Sequence, residues 1–232
     1  LANQVLPAAG VELPIRWGDL GAQLVKAGVI DPAKFTPLTD PGNITITTTN
    51  SREVLNSLWA LGLGNKNPIL DTGPMVDKQF GGAGNFASTG GWSLAKGSAM
   101  QHYSKHAFIT LTPQQQTLIE EVSKNIFRPC CNNATYFPDC NHGMAMLALL
   151  ELMASQGVNR EDMYKYALAV NSYWFPDTYV TIAKYKASQG VGWDKVDPQE
   201  VLGEGYSSAT GYRQILSQVE PAQLGGGGGC GV

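Results

Sequence analysis

The sequence predicts a mainly α-helical fold: a single compact domain of about eight helices with a minor β element and a glycine-rich loop. Two observations predict this class. Helix-start and helix-stop residues flank most of the apolar segments. Only residues 43–49 alternate apolar and polar side chains with the period of a strand. With 232 residues, the chain is long enough to bury one sizeable core.

The N-terminal third is predicted to contain two helices and one strand. The first helix runs from Asp19 to Gly28, with leucines on one face and the glycine as its C-terminal stop. The strand at residues 43–49 has no obvious partner in the sequence. The next helix begins at Asn50, where Asn-x-x-Glu resembles a capping box, and ends near Gly62. The chain therefore starts with short elements around one well-defined helix.

The middle of the chain is predicted to be irregular before helices resume. Residues 62–97 contain the glycine-rich loop, whose centre runs from Phe80 to Trp92. The loop lacks both the Gly-Lys-Ser/Thr ending of a phosphate-binding loop and a dinucleotide-binding fingerprint. A tight turn is therefore a better interpretation of its glycines than a phosphate site. A helix is predicted from Ser93 to Phe108, which would place His102 and His106 on one face.

The second half reads as a series of helices with strong start signals. Thr112-Pro113 begins one helix, which Pro129 terminates. The remaining predicted helices are one capped by Asp139 or Asn141 and ending before Gly157, one capped by Asn159, one from Asp177 to about Gln189, a short one starting at Asp197, and one from Ser207 to Val219. Residues 1–224 thus form the predicted helical domain. Residues 225–232 form a glycine-rich tail in which Cys230 is expected to be bonded.

Composition excludes some partners. The net charge is −3 and no Lys/Arg cluster occurs, which argues against nucleic acid. No apolar run approaches the roughly 20 residues of a membrane span.

The first residues, from Leu1 to Gly10, resemble a mature end left by signal-peptide cleavage. We therefore expect an exported protein, periplasmic or secreted, whose protein partners or self-assembly the sequence does not indicate.

The most informative stretch is Arg128 to Met146. It contains three of the four cysteines, Cys130, Cys131 and Cys140, and one of the three histidines, His142. Thiolate and imidazole are the ligands that soft and borderline transition metals prefer. The stretch therefore predicts a metal site built from these four residues, with copper or zinc as candidate ions. The other two histidines, His102 and His106, are alternate ligands at helical i, i+4 spacing.

Part of this stretch resembles the CDGSH-type iron–sulfur motif. The likeness consists of Cys131-x8-Cys140, Phe137-Pro138 ahead of the second cysteine, and a histidine shortly after it, over about a dozen residues. The resemblance implies a [2Fe–2S] cluster with Cys131, Cys140, Cys130 and His142 as ligands. This sequence departs from the motif, because its first two cysteines are adjacent and its histidine follows the last cysteine by two positions.

Other functions stay open at this point. Four cysteines in an exported chain can form disulfides, such as Cys131–Cys140 or Cys130–Cys230, in a binding or structural protein without metal. Cys140 with a histidine as base would make a cysteine-dependent redox enzyme. The absence of Cys-x-x-Cys-His argues against c-type haem, while b-type haem held by His or Met stays possible. No paired carboxylates or nucleophile motif suggests another reaction, so we expect metal handling or electron transfer.

Overall fold

A computed structural model describes residues 1–224, and this part of the chain is mainly α-helical, as predicted. The twelve helices of the described part are α1 (Ala2–Val5), α2 (Leu20–Ala27), α3 (Ser51–Gly64), α4 (Pro68–Thr72), α5 (Ala87–Gly90), α6 (Pro113–Ser123), α7 (Asn141–Ser155), α8 (Arg160–Trp174), α9 (Pro176–Ser188), α10 (Pro198–Leu202), α11 (Glu204–Ser207) and α12 (Ala209–Leu216). None of them is long and apolar enough to span a membrane. The predicted tail, including Cys230, lies outside the described residues.

The β element is a two-stranded antiparallel sheet. The predicted strand is present as β2 (Asn43–Ile46), and its partner is β1 (Val11–Arg16). The sequence did not indicate β1, because Pro14 interrupts it and cannot donate a hydrogen bond to a ladder. The pairing is irregular at this place, between Glu12 and Arg16. Leu13 and Ile15 nevertheless point into the core and are fully buried.

Helices α3 and α7 form the centre of the core. All fourteen residues of α7 from Asn141 to Ala154 are buried, which explains why its sequence is apolar on every side. Gly62 of α3 lies against the backbone of α7, and a Cβ at this position would be 2.2 Å from the carbonyl oxygen of Met144. Helices α6 and α8 also contact α7. The first turn of α7 is therefore fixed at the middle of the domain.

The predicted helix from Ser93 to Phe108 is wrong. This segment contains only a 3-10 turn at Ala99–Gln101, which Ser98 and Gln101 close with a capping box. Gly97 has a φ of 76° and Ser104 a φ of 49°, both in the left-handed region. Two such positions break the regular right-handed geometry that a continuous helix needs.

Candidate metal centre

The loop that contains the cysteines joins α6 to α7 and is fixed to its surroundings by backbone hydrogen bonds. The amide of Thr135 donates to the carbonyl of Ile126 at 2.8 Å, which closes the loop on itself. The amide of Ala209, at the start of α12, donates to the carbonyl of Cys131 at 2.8 Å. The loop is thus tied to the C-terminal helices, and its cysteines have defined positions.

Arg128 organises the loop from within. Its side chain is only 1% exposed. Nε donates to Cys140 Sγ at 3.0 Å, and Nη1 donates to the carbonyl of Asn133 at 2.8 Å. Nη2 donates to the carbonyl of Phe137 at 2.8 Å and to Asp139 Oδ1 at 2.5 Å. A buried guanidinium needs such a set of acceptors to offset the loss of water. Arg128 therefore holds both ends of the loop around itself.

Cys140 is the N-cap residue of α7. Its Sγ accepts a hydrogen bond from the amide of Gly143 at 3.4 Å, as well as the bond from Arg128. Both donors and the positive end of the helix dipole favour negative charge on this sulfur. Gly143 is required here, because a Cβ would lie 2.5 Å from Arg128 Cζ. The sequence predicted Asp139 or Asn141 as the cap, since a thiol is an unusual capping group.

Cys130, Cys140 and His142 converge on one point. Their candidate ligand atoms all lie within 4.8 Å of one another, and the two sulfurs are 3.5 Å apart. The ring of His142 packs against Trp174 and Phe175 and is almost completely buried. Within residues 1–224, its Nδ1 is buried without any hydrogen-bond partner. A buried imidazole nitrogen normally has a hydrogen-bond partner or a metal ion, and His142 contributes one ring nitrogen to the group of candidate ligand atoms.

A second group shares Cys140 with the first. Cys131, Asp139 and Cys140 also have candidate ligand atoms within 4.8 Å of one another. However, the carboxylate of Asp139 is already engaged, by Arg128 at Oδ1 and by the side-chain amide of Asn133, whose Nδ2 donates to Oδ2 at 3.0 Å. The ion pair with Arg128 leaves this carboxylate less able to bind a cation. The first group is therefore the better candidate for a metal ion.

The charges in the loop influence one another strongly. A hydrogen bond to Cys130 lowers the pKa of Cys131, but the hydrogen bond to Cys140 and burial outweigh it and raise the pKa to about 11. Burial on its own would lower the pKa of Arg128. The negative charges of Cys140, Cys131 and Asp139 reverse this and raise the pKa above its ordinary value. Arg128 thus remains a cation inside the protein.

No disulfide is present among Cys130, Cys131 and Cys140. The 3.5 Å between the sulfurs of Cys130 and Cys140 compares with about 2 Å in a disulfide. The Cys131–Cys140 pairing considered from the sequence is not formed either, and the proposed partner Cys230 lies outside the described residues.

The two other histidines lie together, apart from the cysteines. His102 Nδ1 and His106 Nε2 are 3.2 Å apart, although a turn and not the predicted helix brings them together. No group of potential metal ligands in the described residues joins either histidine to a cysteine. The sequence thus predicted the ligand types of the cysteine loop but not this separation. It also missed Arg128 and Gly143, whose only signal was their position beside the cysteines.

Comparison of the chain with protein-family models, with curated proteins and with solved structures gave no match. The function is therefore inferred from the geometry of the site alone.

Proposed function

We propose that this protein binds one soft or borderline transition metal ion through Cys130, Cys140 and His142 and serves in metal handling. The observation that carries the proposal is the convergence of two sulfurs and one imidazole nitrogen within 4.8 Å, in a histidine whose buried Nδ1 lacks a hydrogen-bond partner among the described residues. These three residues come from a loop and a helix start that the fold holds rigidly.

The distances support a single ion. Two sulfurs bound to one tetrahedral ion at about 2.3 Å are about 3.8 Å apart, and Cys130 and Cys140 Sγ lie 3.5 Å apart. A small movement of either side chain would therefore let both sulfurs bind one ion. In a [2Fe–2S] cluster the ligands divide between two irons, so that ligands of different irons lie farther apart. Three ligand atoms mutually within 4.8 Å favour one ion over the cluster implied by the CDGSH resemblance.

The charge balance supports a divalent ion. Arg128 and Asp139 form an ion pair and cancel each other's charge. Two thiolates, from Cys130 and Cys140, and one neutral imidazole then carry a charge of −2. A divalent ion such as Zn²⁺ neutralises this charge, whereas Cu⁺ would leave a net negative charge in a largely buried site, which is unfavourable.

An open coordination position favours metal handling over a structural role for the site. Structural zinc sites are closed by four protein ligands, whereas three residues converge here among residues 1–224. Cys130 and Cys131 are only half-buried, so the site can be reached from solvent. An open position lets an incoming ligand bind the ion before the protein releases it, as transfer requires. The large core around α3 and α7 also gives the domain a source of stability that does not depend on metal.

Cobalt substitution tests the proposal. Co²⁺ added to the reduced protein should produce intense sulfur-to-metal charge-transfer bands at one equivalent per chain. Cys130→Ser, Cys140→Ser and His142→Asn should each weaken the affinity by more than about tenfold. Cys131→Ser is the matched control, because it removes the adjacent thiol and should retain one equivalent. Equal loss in Cys131→Ser and Cys130→Ser, or no sulfur bands in the unaltered protein, would overturn the assignment.

A further inference from the structure

The His102–His106 pair has the spacing of two ligands on one metal ion. The separation of 3.2 Å joins His102 Nδ1 and His106 Nε2. Two nitrogens bound at about 2.0–2.1 Å are about 3.3 Å apart on a tetrahedral ion and about 2.9 Å apart in neighbouring positions of a square or octahedral ion. The observed distance lies between these values, so either geometry can be reached by a small rotation of one ring.

A second contact orients His102 as a metal ligand would be oriented. Its Nε2 lies 3.1 Å from the carbonyl oxygen of Lys96. A carbonyl oxygen only accepts hydrogen bonds, so in the neutral ring Nε2 carries the hydrogen and Nδ1 carries the lone pair. Histidine ligands of metals usually donate their other nitrogen to a carbonyl or carboxylate in this manner. The lone pair of His102 is thereby directed toward His106.

The backbone of the pair is fixed to the end of helix α3. The amide of His106 donates to the carbonyl of Gly64 at 2.8 Å, and the amide of Ser104 donates to the carbonyl of Leu63 at 2.8 Å. The carbonyl end of a helix carries partial negative charge, which favours a cation nearby. His102 is buried while His106 is half-buried, so the pair has one rigid ring and one that solvent can reach.

We propose that His102 and His106 form a second metal-binding locus, separate from the cysteine site. It would take a divalent ion that prefers imidazole, such as Ni²⁺, Cu²⁺ or Zn²⁺, with water in the remaining positions. The locus uses none of the residues of the proposed cysteine site. It can therefore be present or absent whether or not the cysteines bind metal.

The three histidines of the chain allow a direct test with Ni²⁺ alone as the probe. The protein is first given one equivalent of Zn²⁺, which the thiolates of the cysteine site bind in preference to a site of imidazole alone, and the ring C–H signals are then followed by NMR. Paramagnetic Ni²⁺ should broaden the signals of His102 and His106 at about one equivalent and leave that of His142 sharp. His106→Asn, a change at a half-buried position that the fold can accept, should weaken Ni²⁺ binding by at least about tenfold.

Lys105→Gln is the matched control, because it alters the exposed neighbour of His106 and leaves both rings in place. It should bind Ni²⁺ at least as tightly as the unaltered protein, since it removes a nearby positive charge. Broadening of His142 alone, no broadening at one equivalent, or unchanged affinity in His106→Asn would each overturn the second locus. Cobalt–sulfur bands would still report on the cysteine site in all of these cases.

Discussion

Replacement of Glu151 by glutamine should remove a large part of the pH dependence of stability. Glu151 lies in α7 with no exposed surface. Asn67 Nδ2 donates to its Oε1 at 2.5 Å, but Oε2 has no hydrogen-bond partner among residues 1–224. Burial raises the pKa of this carboxyl from 4.5 to about 8, and the bond from Asn67 opposes the increase only partly.

The free energy of unfolding depends on pH because the folded and the unfolded protein lose the proton of Glu151 at different pH values. Between pH 4.5 and pH 8 the unfolded chain loses the proton of Glu151 while the folded protein keeps it, so the free energy of unfolding falls as pH rises. Each pH unit is worth about 1.4 kcal/mol, which gives about 5 kcal/mol over the whole interval. The contribution of Glu151 to the free energy of unfolding is complete below pH 4.5 and lost above pH 8. Between pH 5 and pH 8, Glu151→Gln should therefore gain about 3–4 kcal/mol relative to the unaltered protein.

Urea unfolding at pH 5, 6, 7 and 8, with chelator and reductant present, measures this difference. Glutamine has nearly the same shape as glutamate, so the slope against pH is informative even if the absolute stability changes. Glu161→Gln, which removes an exposed carboxylate of α8, is the matched control and should follow the unaltered protein. A constant difference between Glu151→Gln and the unaltered protein across this range would show that the carboxyl is not desolvated as described.

Two glycine substitutions test close contacts. Gly143→Ala would place a Cβ 2.5 Å from Arg128 Cζ, so we expect it to displace the buried guanidinium, lower the free energy of unfolding by about 3 kcal/mol and weaken Co²⁺ binding. Gly62→Ala would place a Cβ 2.2 Å from the carbonyl of Met144, and we expect a loss of about 2 kcal/mol with the metal affinity retained once folded. Gly205→Ala, which meets nothing within 4 Å, is the control for both in thermal unfolding. Equal melting temperatures in all three variants would contradict these contacts.

The fold was predictable where local signals agree with tertiary packing. The apolar run of α7 indicated a buried helix, and Thr112-Pro113 marks the start of α6, where Thr112 accepts from the amide of Gln115. Only one of the two strands of the sheet was predictable. Pro14 interrupts the strand pattern of β1, and the two strands are about thirty residues apart in sequence. Local patterns do not specify which distant segments pair, so a lone strand signal left its partner unknown.

The candidate site was predictable in its ligand types and not in its geometry. Three cysteines and a histidine between positions 130 and 142 indicated the chemistry, since few residues can bind soft metals. The position of the Cys140 sulfur depends on the buried side chain of Arg128, which donates to it, and no sequence pattern marks this contact. The pairing of Glu151 with Asn67 spans 84 positions and has no local signature. Such contacts arise from the packing of α7, which a one-dimensional pattern does not describe.

X-ray absorption at the zinc edge tests the central claim most directly. Reduced protein loaded with one equivalent of Zn²⁺ should show two sulfur neighbours at about 2.3 Å and one imidazole nitrogen at about 2.0–2.1 Å, with a light atom from solvent as the fourth neighbour. The sulfur contribution should persist in Cys131→Ser and fall in Cys130→Ser. A zinc environment of nitrogen and oxygen alone, or protein that retains no zinc after dialysis, would contradict a metal centre at Cys130, Cys140 and His142.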